Sequence, residues 1–106
     1  MDAMILITQK WLNNTYKDKT GYNPLDLSDE KIRGKASWTT IYALLRAFQI
    51  ELGITNTADS FGPTTVKRFK ERYPNGIRPA GDEETDNVYG IIQGALWCKG
   101  YATHYQ

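Results

Sequence analysis

The sequence predicts an all-α domain, a small orthogonal bundle of short helices joined by long loops, and three observations carry that expectation. Apolar residues recur at three- and four-residue spacing, most clearly at Ile41, Leu44, Leu45, Phe48 and Leu52. No segment alternates apolar and polar residues at every second position, which a half-buried strand would require. The 106 residues, 41% hydrophobic and 24% charged, suit one globular core and leave no room for a second full domain.

The first helix is expected over roughly residues 3 to 15. Ile5, Leu12 and Tyr16 share a stripe with Gln9 between them, Trp11 lies beside it, and Asp2 is placed to cap the start. Asn13-Asn14 weakens helical propensity toward the far end. From Lys17 to Ser37 the period breaks up through Thr20-Gly21-Tyr22-Asn23-Pro24 and Gly34-Lys35-Ala36. This long loop reads either as part of a binding rim or as a tolerated excursion.

Ser37 then caps the core helix, and Gly53 fits the left-handed residue that ends it, with Ile54 folding back toward Phe48. Pro63 suits the first turn of a third helix, whose stripe is Val66, Phe69 and Tyr73 and which Pro74 closes. A last helix is expected from about Asp86 to Lys99, with Ile91, Ile92, Ala95 and Leu96 as its apolar residues, Thr85 or Asp86 as cap and Gly100 as stop.

Composition removes several function classes. Thirteen Lys and Arg against twelve Asp and Glu leave a formal charge of +1, so no global field favours nucleic acid or an acidic membrane. No apolar run approaches the roughly 20 residues a membrane span needs, and Met1 to Lys10 lack the pattern of a signal peptide. One cysteine, Cys98, and one histidine, His104, exclude an internal disulfide and a Cys/His zinc site. Cys98 continues the Ile91 stripe and is expected to be a buried, inert thiol.

Two phrases at opposite ends of the chain are alike: Ile5-x-x-Thr8-Gln9-x-x-Leu12-Asn13, and Tyr89-x-x-Ile92-Gln93-x-x-Leu96 followed by Gly100-Tyr101. Between them lie Ala43-Leu44, Phe48-Gln49-x-x-x-Gly53-Ile54 and Asp59-Ser60-Phe61-Gly62-Pro63-Thr64-Thr65. Together these resemble the helical peptidoglycan-binding domain family of bacterial and phage cell-wall hydrolases. Gly34-Lys35-Ala36-Ser37-Trp38 departs from that family's Asp-Gly-x-Phe-Gly turn, and Asp59-Ser60 lacks its glycine after the aspartate.

The resemblance implies a peptidoglycan-binding-like fold for residues 1 to 106, with residues 87 to 106 resembling the start of a further repeat. It implies a non-catalytic accessory module of the endolysin or autolysin kind, working at the cell wall or outside the cell. Its partners would be peptidoglycan and a hydrolase domain elsewhere in a longer parent chain. No cofactor, metal or membrane enters that picture.

Peptidoglycan offers sugars whose apolar faces stack on aromatic rings, and stem peptides that call for cations and neutral hydrogen-bonding groups. The candidates are Trp38, Thr39, Thr40, Tyr42 and Arg46 along the exposed side of the core helix, with Trp97 as a further aromatic beside Trp11 and Tyr101. For each tryptophan the competing role is core filling. Phe61 and Thr64 belong to a turn whose free N–H groups suit a peptide carboxylate, against the alternative of a well-capped turn. Gln9 and Gln93 are expected to hold loop backbone.

Two other functions were weighed against wall binding. The basic run Lys67-Arg68-Phe69-Lys70-Glu71-Arg72 allows a helix-turn-helix-like DNA contact, but a solvated helix face is the default reading, the net charge of +1 argues against DNA, and anionic wall polymers would satisfy the same charges. A small muramidase-type glycosidase needs two positioned carboxylates, but the acids cluster in loops, at Asp26, Asp29 and Glu30 and again at Asp82, Glu83, Glu84 and Asp86. No catalytic residue is therefore assigned.

Overall fold

In a computed structural model, which describes the backbone of residues 2–104 and the side chains of residues 2–98, four helices carry the chain: α1 (Ala3–Tyr16), α2 (Trp38–Glu51), α3 (Pro63–Arg72) and α4 (Glu83–His104). The fold is all-α, with no strand among the described residues. α1, α2 and α4 pack on one another, most extensively α2 against α4. α3 is placed against this frame through its aromatic residues.

α1 begins where the Asp2 carboxylate accepts the free N–H groups of Met4 and Ile5 at 2.8 and 3.2 Å. Its buried stripe is the expected one, Ile5, Gln9, Leu12 and Tyr16, with Leu6 added and Trp11 half-buried beside it. Asn13 does not end the helix. Its side chain instead grips the following loop, accepting from Leu25 N and Tyr22 Oη and donating to Leu25 O, each at 2.8 Å. Tyr22 and Leu25 are thereby fixed in the core. The long loop is thus a lid over the core, whatever its rim does.

α2 is capped by Ser37, whose hydroxyl accepts from Thr40 N. Its end is a Schellman turn: Gly53 sits at φ +78°, its N–H reaches Ile50 O at 3.0 Å, and the Ile54 N–H reaches Gln49 O at 2.9 Å. Of the expected stripe, Leu44, Phe48 and Leu52 are buried, whereas Ile41 and Leu45 are half-buried.

α3 starts on Gly62 and Pro63 as the sequence predicts. Its stripe is shallower than expected, since Val66, Phe69 and Tyr73 are half-buried and Thr65 is the residue that goes fully inside. Phe69 bridges Phe48 and Tyr73 at ring separations of 5.4 and 5.5 Å.

Two corrections concern α4. The helix begins three residues earlier than predicted, because Asp82 is the cap: its carboxylate accepts Thr85 N at 2.8 Å, while Asp86 turns back to Ala80 N and Gly81 N. Gly100 does not stop it, and the helix runs to His104. A lone glycine inside a helix costs about 1 kcal/mol and does not by itself break it. Gly90 and Gly94, which lie within the same helix, make the same point. Val88, Ile91 and Cys98 form its buried edge.

The two ends of the frame are tied by polar groups. At one end Tyr16 Oη and Asn87 Nδ2 both donate to Glu51 Oε2, at 2.6 and 3.0 Å. At the other, Asp2 N donates to Gly34 O and Trp97 Nε1 donates to Asp2 Oδ2. That second end is also where α2 begins.

Candidate functional site

The first turn of α2 is held from beneath. Gln9, fully buried on α1, donates through Nε2 to Ile32 O at 2.7 Å and to Thr40 Oγ1 at 2.9 Å, and accepts Gly34 N at 2.7 Å through Oε1. The Thr40 hydroxyl in turn donates to Lys35 O at 2.9 Å. With Thr40 turned inward, helical spacing carries its neighbours outward. Trp38 is 71% exposed, Thr39 is exposed, and Tyr42 is 36% exposed.

Trp38 and Tyr42, one turn apart, stack with ring centroids 6.0 Å apart and planes at 29°. They form a continuous aromatic surface at the start of α2. Trp97, 47% exposed, lies on α4 at the same end of the frame and is steadied by Asp2.

Thr40 is corrected by this geometry. The sequence placed it on the open side of α2, but it is fully buried with its hydroxyl engaged, so it positions the site and offers no surface to a ligand. Arg46 is corrected likewise. It is half-buried, its Nε donates to Asp59 Oδ1 at 2.7 Å and its Nη1 to Thr57 Oγ1 at 2.9 Å and Gly21 O at 3.4 Å. Its charge is spent on two loops.

Phe61 is 60% exposed and its ring stands 6.0 Å from that of Phe48. It helps to wall an apolar groove of about 540 Å³, in which Ile41 and Leu45 of α2 face Ile92 and Leu96 of α4. Thr64 is exposed on the first turn of α3, a turn that has no side-chain cap.

Gln93 does not hold loop backbone. It is exposed, and the second buried glutamine is Gln49 of α2, whose Oε1 accepts Ala58 N at 2.8 Å and whose Nε2 donates to Ser60 O at 3.0 Å and approaches Thr65 Oγ1 at 3.4 Å. Gln49 belongs to the Phe48-Gln49 phrase that carries the resemblance. A signal was available: Thr39-Thr40 and Thr64-Thr65 occupy the same second and third positions of α2 and α3.

The remaining charged groups are placed as follows. In the basic run, Arg72 pairs with Glu84 and Arg68 leans on Leu52 O, leaving Lys67 and Lys70 on the open side of α3. The carboxyls of Asp26 and Asp82 are held below the usual range, by hydrogen bonds from Ser28 and from Thr85. Neither resembles a glycosidase acid, which must be raised. Cys98 is buried, and burial pushes its thiol up to about 11, with a smaller push from Asp2. The Tyr101 side chain lies outside the described residues.

No group of three His, Cys, Asp or Glu side chains that could hold a metal occurs among the described residues. No helix among them is long and apolar enough to cross a membrane.

No family model and no solved structure matches the chain. The chain is similar to two proteins of Bacillus subtilis (strain 168), FadG and YbfG, each described as uncharacterized. It is 52% identical to FadG over 101 residues, covering 95% of this chain and 16% of FadG. It is 54% identical to YbfG over 101 residues, covering 95% of this chain and 13% of YbfG. The chain thus spans less than one fifth of either relative.

Proposed function

We propose that this chain is a non-catalytic module that binds peptidoglycan and holds an attached domain against the bacterial wall. The observation that carries the reading is the exposed, stacked Trp38–Tyr42 pair on a helix start fixed from below by Gln9 and Thr40. Aromatic surface left in water is unfavourable by roughly 25 cal/mol per Å², and stacking on the apolar face of a sugar removes that cost. Because the turn beneath is already ordered, binding loses little further entropy. Thr39, exposed between the two rings in sequence, offers a hydroxyl to the same ligand.

The repeated glutamine phrase and the Phe61 to Thr65 turn support the reading through the resemblance they carry. The length of FadG and YbfG supports the attached domain, since tethering raises local concentration without altering chemistry. The DNA reading is weakened by the engagement of Arg68 and Arg72 within the domain. The glycosidase reading gains nothing from Asp26 and Asp82, whose carboxyls are lowered where a general acid must be raised.

The test is co-sedimentation of the 106-residue chain with peptidoglycan sacculi stripped of teichoic acid. The reading expects saturable pelleting without clearing of the suspension, about tenfold weaker for Trp38→Ala and for Tyr42→Ala, which is about 1.4 kcal/mol. Both variants should melt within a few degrees of the parent, because both side chains are exposed. Pelleting indifferent to both substitutions, or none at all, would sink the reading.

A further inference from the structure

A stripe buried on α1 is repeated on α4, where Tyr89 and Ile92 are half-buried and its glutamine and last leucine are exposed. Ile5-x-x-Thr8-Gln9-x-x-Leu12 and Tyr89-x-x-Ile92-Gln93-x-x-Leu96 share their spacing. On α1 the residues Ile5, Gln9 and Leu12 are each 0% exposed; Ile5 and Leu12 lie in the core, and the loop segment 32–34 and the first turn of α2 close over Gln9. On α4 Gln93 is exposed and Leu96 is 57% exposed.

α4 meanwhile uses a different face, Val88, Ile91 and Cys98, to complete the core of this domain. At 100° per residue, Gln93 points about 160° away from Ile91. One helix therefore carries two faces, the first spent on this domain and the second matching the inward stripe of α1. Leu96 joins that second face to the α2–α4 groove.

The chain also shows what such a glutamine engages. Gln9 of α1 meets Thr40 at the third position of α2, and Gln49 of α2 meets Thr65 at the third position of α3. In both pairs the amide of the glutamine also clamps backbone just before the helix it meets.

We infer that the Gln93–Leu96 face of α4, with the adjoining groove, is the docking surface for a further repeat unit of a longer polypeptide, namely a helix start bearing a Ser or Thr hydroxyl at its third position. α4 is then a shared helix, last in this domain and first in the next. The relatives supply the reason for this occupant: FadG and YbfG match 95% of this chain, which is 16% and 13% of their length, so tethered polypeptide is at hand. Tethering makes a small apolar surface sufficient, where a free partner would need far more buried area. The inference does not depend on the wall-binding reading.

Hydroxyl-radical footprinting tests it by comparing Leu96 in the 106-residue chain with Leu96 in the same chain grafted into full-length FadG in place of its matched 101 residues. In the grafted protein Leu96 should oxidise severalfold more slowly, and cross-links from α4 should fall on a helix start outside the grafted segment. Equal oxidation in the two proteins, or cross-links to anything but a helix start, overturns the inference. Sedimentation of the 106-residue chain should give a monomer. A dimer abolished by Leu96→Asp, a change at an exposed site that leaves folding intact, would make a second copy the occupant and overturn it as well.

Discussion

Gln9 and Thr40 meet at 2.9 Å in a contact that is fully buried on both sides, and everything exposed at the start of α2 stands on it. The contact matters because each partner has further obligations. Gln9 also serves Ile32 O and Gly34 N, and Thr40 also serves Lys35 O, so the end of the long loop and two helices close on one amide and one hydroxyl.

Removing that amide should be costly. Gln9→Leu keeps the volume but strands buried polar groups, and such groups cost about 1–3 kcal/mol each when no water replaces the lost partner, so a loss of about 2–4 kcal/mol is expected. Gln49→Leu should cost less, about 1 kcal/mol, because Ala58 and Ser60 are exposed and water can take over their bonds. Urea unfolding of the two variants gives the order directly. An equal or reversed order would mean that burial does not set the value of these clamps.

The glycines of α4 make an opposed pair. A Cβ at Gly94 would lie 2.9 Å from Thr8 Cγ2 and 3.2 Å from Leu44 Cδ2, so the Thr8 and Leu44 side chains or the helices that carry them would have to give way. Gly94→Ala is expected to destabilise by about 1–3 kcal/mol, the usual range for overpacking. At Gly90 the nearest atom is Trp11 Cη2 at 3.4 Å, an ordinary contact, and Ala there should gain a few tenths to about 1 kcal/mol of helix propensity. Thermal melts of the two variants should therefore move in opposite directions.

The helices were legible because their signals are local. Asp2, Ser37 and Gly53 mark ends through bonds to residues two or three positions away, Pro63 marks one because the N–H it lacks would go unpaired there, and the stripes of α1 and α2 are read from one turn to the next. The start of α4 was misread because Asp82, Thr85 and Asp86 all carry capping side chains, and only their geometry says which faces the free N–H groups. The exposure of Trp38 and Tyr42 was legible as an open side of α2. The burial of Thr40 and the occupation of Arg46 were not, since both depend on partners 11 to 31 residues away that no period reveals. Gln93 was read by analogy with Gln9, and the analogy fails within this chain for want of a helix start to cover it.

Arg46 should behave as a tether. Arg46→Ala removes bonds to Asp59, Thr57 and Gly21, and charged hydrogen bonds of this kind are worth about 1.5–3 kcal/mol when buried, less here because the Asp59 side chain is 45% exposed. A loss of about 1–2 kcal/mol is expected, with faster hydrogen exchange in the 55–60 loop. The check is peptide-resolved exchange beside sedimentation with sacculi. Loss of wall binding with unchanged stability and exchange would return Arg46 to the role of a ligand contact.

Alkali should unfold the domain through three buried groups. Tyr16 is raised above its ordinary 10.0 by burial first and by its bond to Glu51 second, Tyr22 is raised by burial, and Cys98 moves from 9.0 to about 11 by burial first and Asp2 second. In each the folded state holds its proton more tightly than the unfolded state does. Their contribution is therefore complete below the ordinary values and is lost as pH rises through the folded ones. Tm should begin to fall above pH 9.0 as Cys98 enters its window, and fall more steeply above 10.0 when the tyrosines follow. Cys98→Ala should be less stable at neutral pH, because it leaves a small void, yet lose less between pH 9.0 and about 11. A melting temperature flat across that interval for the parent chain would show that these groups are not held in their protonated forms by the fold.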